Sequence, residues 1–232
     1  MQVKMNRFYT NLLYLHSRTH HMKYLLFIFS NLFIFNTAMH AKDKAVTGMY
    51  NLEAVRETAS GFKLKADSTF EFYFSYGALD RYGKGTWQQA GNRIILNSRP
   101  HPGNDFKLLR GNLAKNDFIT ITIEEKNTML LPYVYAFTNK LLPGEYAQKA
   151  GSHGTIKLPA ANADTIHILF EFTPEKISSF AVNTKVNNNF TFAFEPWIVE
   201  VFFKDFELAV KENRLEGKHP LLEKNDCIYV KE

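Results

Sequence analysis

From Gly48 onward, apolar and polar positions alternate in short runs broken by turn residues, and helical periodicity is hard to find. The strongest run is Phe70-Glu-Phe-Tyr-Phe-Ser-Tyr76, where a period of two puts Phe70, Phe72, Phe74 and Tyr76 on one face of a strand. Phe62-Lys-Leu-Lys65 alternates in the same way. Ala66-Asp-Ser-Thr69 between them reads as a turn, so Leu64 and Phe70 flank a hairpin loop. Earlier, Tyr50, Leu52 and Ala54 share a face. Later, Gly85-Thr-Trp-Gln-Gln89, the tight turn Ala90-Gly-Asn92 and Ile94-Ile-Leu96 read as strand, turn and strand. Pro100 and Pro102 make Asn97–Asn104 a loop. Phe106–Leu109 and Phe118–Ile123 follow as strands, the latter with Ile119, Ile121 and Ile123 inward. Strand patterns recur at Leu131–Phe137, Lys140–Tyr146, Thr155–Pro159, Thr165–Phe172, Phe190–Phe194, Val199–Phe203, Glu207–Val210 and Cys227–Val230. Short strands at regular spacing predict an all-β fold, a barrel or a sandwich.

The first 41 residues differ from the rest. Met22-Lys23 opens a charged start, Tyr24–Phe35 is an apolar stretch of signal-peptide length, and Thr37-Ala-Met-His-Ala41 supplies small residues for cleavage after Ala38 or Ala41. This predicts an exported protein, periplasmic or extracellular, with Met22 as its natural start. The alternative is an uncleaved N-terminal anchor, the one route by which the chain would meet a membrane, or a buried helix.

The net charge of +5 invites a nucleic-acid reading until its distribution is considered. Residues 1–41 hold Lys4, Arg7, Arg18 and Lys23 and no acidic residue. Without those four, 24 basic residues face 23 acidic ones, which is too balanced for phosphate recognition along a groove. Nucleic acid is therefore not an expected partner. Aromatic residues at 15% suit half-buried pleated surfaces. The lone Cys227 rules out an intramolecular disulfide and reads as a small packed residue in a terminal strand.

The stretch from Gly48 to Ser98 resembles a module of exported bacterial proteins. Its motifs are Gly48-Met49-Tyr50, Arg56-Glu57 with Gly61, Asp67 to Phe72, Tyr76-Gly77-Ala78-Leu79-Asp80, Gly85-Thr86-Trp87 and Gly91-Asn92 to Leu96. The Gly-Thr-Trp and Gly-Asn elements are similar to those of lipocalin-like small β-domains. The middle of the chain resembles a transthyretin-like or carboxypeptidase-regulatory-like sandwich, through a Pro-Gly turn and Gln148-Lys-Ala-Gly-Ser-His-Gly154 leading into Thr155–Pro159, without the usual Thr-Asp before the glycine. These resemblances imply a lipocalin-like β-domain from 42–123 plus 190–232, with a small sandwich inserted over 124–189. They imply export and no particular reaction.

Candidate chemistry is sparse. Glu53, Arg56, Glu57, Asp80 and Arg81 form the densest charged group, able to orient a polar ligand, although a structural ion pair explains it more simply. Arg56 and Glu57 face opposite ways if they lie on a strand, so one would point inward and be paired. Asp80 reads as a turn cap. Tyr76 and Trp87, with Phe72, would line a lipocalin-like cavity or simply fill the core. His101, His153, His167 and His219 lie in no metal-ligand spacing, and no nucleophile elbow, phosphate loop or dinucleotide fingerprint occurs. Gly151-Ser-His-Gly154 reads as a hairpin turn. No cofactor or metal is called for. The expectation is a non-catalytic exported β-protein that binds a protein partner or small ligand in the cell envelope, with Arg56, Phe72, Tyr76, Asp80 and Trp87 as candidate ligand-binding residues. Two alternatives stand beside it: a carrier of an apolar ligand inside the first domain, and a hydrolytic enzyme in which Asp80, His101 and His153 converge.

Overall fold

A computed structural model describes residues 46–139, 147–159 and 163–232. The expected leader and the expected strand at Lys140–Tyr146 lie outside the described residues. Of the described residues, 55% are strand and 4% helix, so the fold is all-β. In chain order the strands are β1 (Gly48–Leu52), β2 (Thr58–Leu64), β3 (Thr69–Tyr76), β4 (Leu79–Ala90), β5 (Arg93–Asn97), β6 (Phe106–Asn112), β7 (Phe118–Glu124), β8 (Val134–Thr138), β9 (Gln148–Lys149), β10 (Thr155–Pro159), β11 (Thr165–Phe170), β12 (Ile177–Ala181), β13 (Asn189–Phe194), β14 (Glu200–Val201), β15 (Phe206–Lys211), β16 (Arg214–Gly217) and β17 (Cys227–Lys231). A 3-10 turn, Thr128–Tyr133, precedes β8.

β1 to β5 run as an antiparallel meander. β15 pairs with β5, β16 with β15, β17 with β16, and β17 returns to β1, which closes an eight-stranded antiparallel barrel. This form is compatible with a lipocalin-like barrel. Alternation sets its interior: Phe70, Phe72 and Phe74 of β3 are buried, as are Phe62, Leu64, Trp87, Ile94, Leu96, Leu208, Leu215 and Tyr229. Leu64 pairs with Phe70 across the β2–β3 hairpin, and Asp67 holds its turn by accepting from the Thr69 N–H and hydroxyl. Gly91, at φ +64, makes the β4–β5 turn.

Between β5 and β15 the chain builds two four-stranded sheets, ordered β10-β7-β13-β6 and β12-β11-β8-β9. Both face one core, which includes Ile119, Ile121, Ile156 and Phe192 from the first sheet and Val134, Ala136, Ile166 and Ile168 from the second. The expected boundaries at 123 and 190 are not where the sheets divide. β6 and β7 pair with β13, and β13 lies parallel to β7, a non-local pairing that strand periodicity cannot reveal. Of the expected strand Val199–Phe203, only Glu200–Val201 forms, as β14 parallel to β4 at Tyr82 and Gly83. It covers β4 where β5 has already ended.

Candidate functional site

The barrel interior is filled by its own side chains. Alternation along 201–203 turns Val201 and Phe203 inward and leaves Phe202 half-exposed outside. The Phe203 ring lies 5.1 Å from Phe70, 5.3 Å from Phe72 and from Phe206, and 6.0 Å from Phe62. Gly83 makes room for it, because a Cβ there would come within 2.6 Å of the Phe203 ring. The loop between β16 and β17 sends in His219, whose ring meets Phe72, Phe74 and Tyr229, while Leu221 and Leu222 pack against the same core.

His219 lies beside Ser60, with Nε2 and Oγ 3.0 Å apart. Nδ1 accepts the backbone N–H groups of Leu221 and Leu222, so the ring proton sits on Nε2 and is donated to Ser60. Ser60 donates in turn to the Tyr73 carbonyl. A general base needs the opposite tautomer facing the hydroxyl, so this pair holds a loop in the barrel mouth. Burial pushes the His219 pKa down to about 4, which keeps the ring neutral.

The expected site residues do not converge. Arg56 and Glu57 are both exposed in the β1–β2 loop, with Glu57 at φ +57, so neither is the inward-pointing ion-pair member that a strand would have required. Phe72 is core. Tyr76 is 52% exposed: it continues the alternation of β3 but lies beyond the rim, in register with Leu79 beside the turn. Asp80 is exposed near that turn. Trp87 is buried at the other end of β4 and donates its indole N–H to the Lys65 carbonyl. Gly151–Gly154 is a tight turn, closed by the Gly154 N–H on the Gly151 carbonyl, but it links β9 in one sheet to β10 in the other. His153 lines an open trough beside Glu124 and Glu125, whereas His101 lines a different cleft, and neither includes Asp80.

The strongest electrostatics lie where the barrel meets the sandwich sheets, and they involve residues that sequence patterning did not bring together. Arg81 of β4 is buried and paired with Glu175 from the β11–β12 connection. Lys176 donates to the carbonyls of Trp197, Ile198 and Glu200 and lies 3.7 Å from Asp105. His101 donates Nε2–H to Asp105 at 3.0 Å, since its Nδ1 accepts the Gly103 N–H. Burial raises the Asp105 pKa against the pull of Lys176 and His101, and burial lowers that of Lys176. Arg99 binds Glu200 at 2.8 Å and covers the rings of Phe202 and Trp197 at 5.0 and 5.9 Å. Among the described residues, no group of three or more His, Cys, Asp or Glu is placed to hold a metal ion, and no helix is long and apolar enough to cross a membrane.

The exposed aliphatic residues gather elsewhere. β6 is the edge of its sheet, and every residue from Lys107 to Asn112 is exposed, Leu108 by 44% and Leu109 by 41%. A register shift opposite Thr191 and Phe192 turns Leu109 out of the ladder. Leu113 and Val186 are 60% and 58% exposed on the two loops beyond. Asn188 fastens those loops, donating to the Ala114 and Asn116 carbonyls and accepting the Ala114 N–H. Comparison with protein-family models, curated proteins and solved structures finds no match.

Proposed function

We propose that this chain is an exported β-protein that binds a protein partner in the cell envelope, and that β6 receives an extended partner segment carrying acidic and apolar residues. The barrel is the scaffold of this reading, lipocalin-like in form but filled, and the transthyretin-like sandwich is its binding arm. The observation that carries it is β6, an edge strand paired with β13 on one side and with no strand on the other among the described residues, with Leu108, Leu109, Leu113 and Val186 exposed around it. Lysines and a bulge also serve to keep edges from pairing, but that protective role has no use for four exposed aliphatic side chains. Charge selects the occupant. Residues 106–115 hold Lys107, Arg110 and Lys115 and no acidic residue, and the facing loop adds Lys185. Only Arg110 has a carboxylate partner, Glu124, among the described residues. A second copy of the same basic strand would be repelled, whereas strand addition by an acidic segment gains ladder hydrogen bonds and charge complementarity together.

The test uses two synthetic peptides of alternating sequence, Glu with Val and Lys with Val, titrated into the purified chain. The Glu peptide should bind, with an affinity that falls as salt rises. Lys107→Glu combined with Arg110→Glu should reverse the preference. Equal binding of both peptides, or of neither, would contradict the proposal.

A further inference from the structure

We infer that the cleft beside the barrel–sandwich junction binds a small aromatic carboxylate, with Arg99 taking the anionic end and Phe202 and Pro100 the flat apolar body. The cleft measures about 450 Å³ and is lined by residues 97–101 and 202–204. That lies inside the range of ~300–1,000 Å³ usual for small-molecule sites. Its lining charges are of one sign. Arg99 and Lys204 line the space, with the His101 ring beside them, while the carboxylates of Glu200 and Asp105 are buried behind, 3% and 5% exposed. Those carboxylates hold the cleft residues from the protein side: Glu200 fixes one guanidinium nitrogen of Arg99, and Asp105 fixes the His101 ring. The remaining Arg99 N–H groups have no protein acceptor apart from the two aromatic faces, among the described residues. A planar guanidinium held at one edge and stacked over rings is preorganised to take a carboxylate at its other edge.

The aromatic part follows from Phe202. It is turned out of the barrel by the alternation that buries Phe203, and His101 meets its ring edge-on at 4.7 Å. Arg99 and Lys176 also lie over the Phe202 ring, at 5.0 and 5.5 Å, so a ligand ring meets it edge-on, as His101 does. His101 adds surface and no donor, because both of its nitrogens are used. Ser98 is likewise committed, to the Lys84 carbonyl, while Asn97 accepts the Asp205 N–H through its oxygen and keeps its amide nitrogen as a neutral donor. Recognition of the anion's charge therefore falls to Arg99, with Lys204 at the mouth.

Benzoate is the probe, with benzyl alcohol (same ring, no charge) and acetate (same charge, no ring) beside it. Backbone amide shifts at Ser98–His101 and Phe202–Lys204 are followed by NMR. Benzoate should move them saturably, and each control should bind about tenfold or more weakly, the effect of losing one charge-assisted contact or the ring contact. Because Arg99 also neutralises buried Glu200, its replacement risks the fold. Lys204→Glu, at an exposed position, is the variant of choice and should weaken benzoate without moving the rest of the spectrum. An absence of saturable shifts at these amides, equal binding of benzyl alcohol, or an unchanged benzoate affinity in Lys204→Glu would overturn the inference.

Discussion

His219 shows how much a single buried ring can govern. In the folded chain it resists protonation down to about pH 4, whereas an exposed histidine titrates near 6.5. As pH falls through that interval the unfolded chain takes up a proton that the folded chain refuses. Stability is therefore intact above about 6.5, declines toward 4 and then levels off, a loss of ~3 kcal/mol at ~1.4 kcal/mol per pH unit. Asp105 acts in the opposite sense, since burial resists its ionisation and that cost lifts on acidification. The comparison of wild type with His219→Gln separates the two: urea unfolding across this range should show a shallower acid limb in the variant, and parallel limbs would contradict the assignment. At Lys176 one ammonium answers three backbone carbonyls and Asp105, with a side chain 14% exposed. Lys176→Met strips three backbone carbonyls of their donor, leaves Asp105 with His101 alone, and should cost ~3–5 kcal/mol in chemical denaturation. Neither role was legible in the sequence. His219 reaches Ser60 across 159 positions and Lys176 reaches the 197–200 backbone by a loop excursion, and no periodicity encodes such contacts.

At the scale of elements, alternation was a sound guide wherever a strand had one wet and one dry face. Phe70, Phe72 and Phe74 point inward as their spacing requires, and the Leu64–Phe70 pairing is the one the turn between them implied. The pattern misled at Tyr76, because a period of two says which face a residue takes and nothing about where the rim of the barrel falls. It misled again over 199–203, where the inward ring of Phe203 comes from a segment packed into the barrel beside a strand of two residues. Phe203 touches four other rings, so Phe203→Ala should cost ~3–5 kcal/mol, measured by thermal or urea unfolding. β6 behaves differently. Leu109→Ser alters an exposed bulge and should leave stability within ~0.5 kcal/mol while weakening the acidic peptide. A large loss of stability would mean that Leu109 belongs to the core.

For the molecule as a whole, the all-β class followed from spacing and aromatic content, and barrel closure rests on the pairing of β1 with β17. The division between barrel and sandwich was harder to read, since β7 and β13 are parallel neighbours separated by a long stretch of chain. The proposed partner-binding role falls on the sandwich edge, because the barrel is packed with its own side chains and β6 is open. The most direct test is amide hydrogen exchange of the chain with and without the Glu–Val peptide. The account predicts new protection confined to Lys107–Asn112 and the adjoining loops, with β2, β3 and β4 unchanged. Protection appearing inside the barrel strands while β6 exchanges as before would contradict it and would restore the barrel as the site of binding.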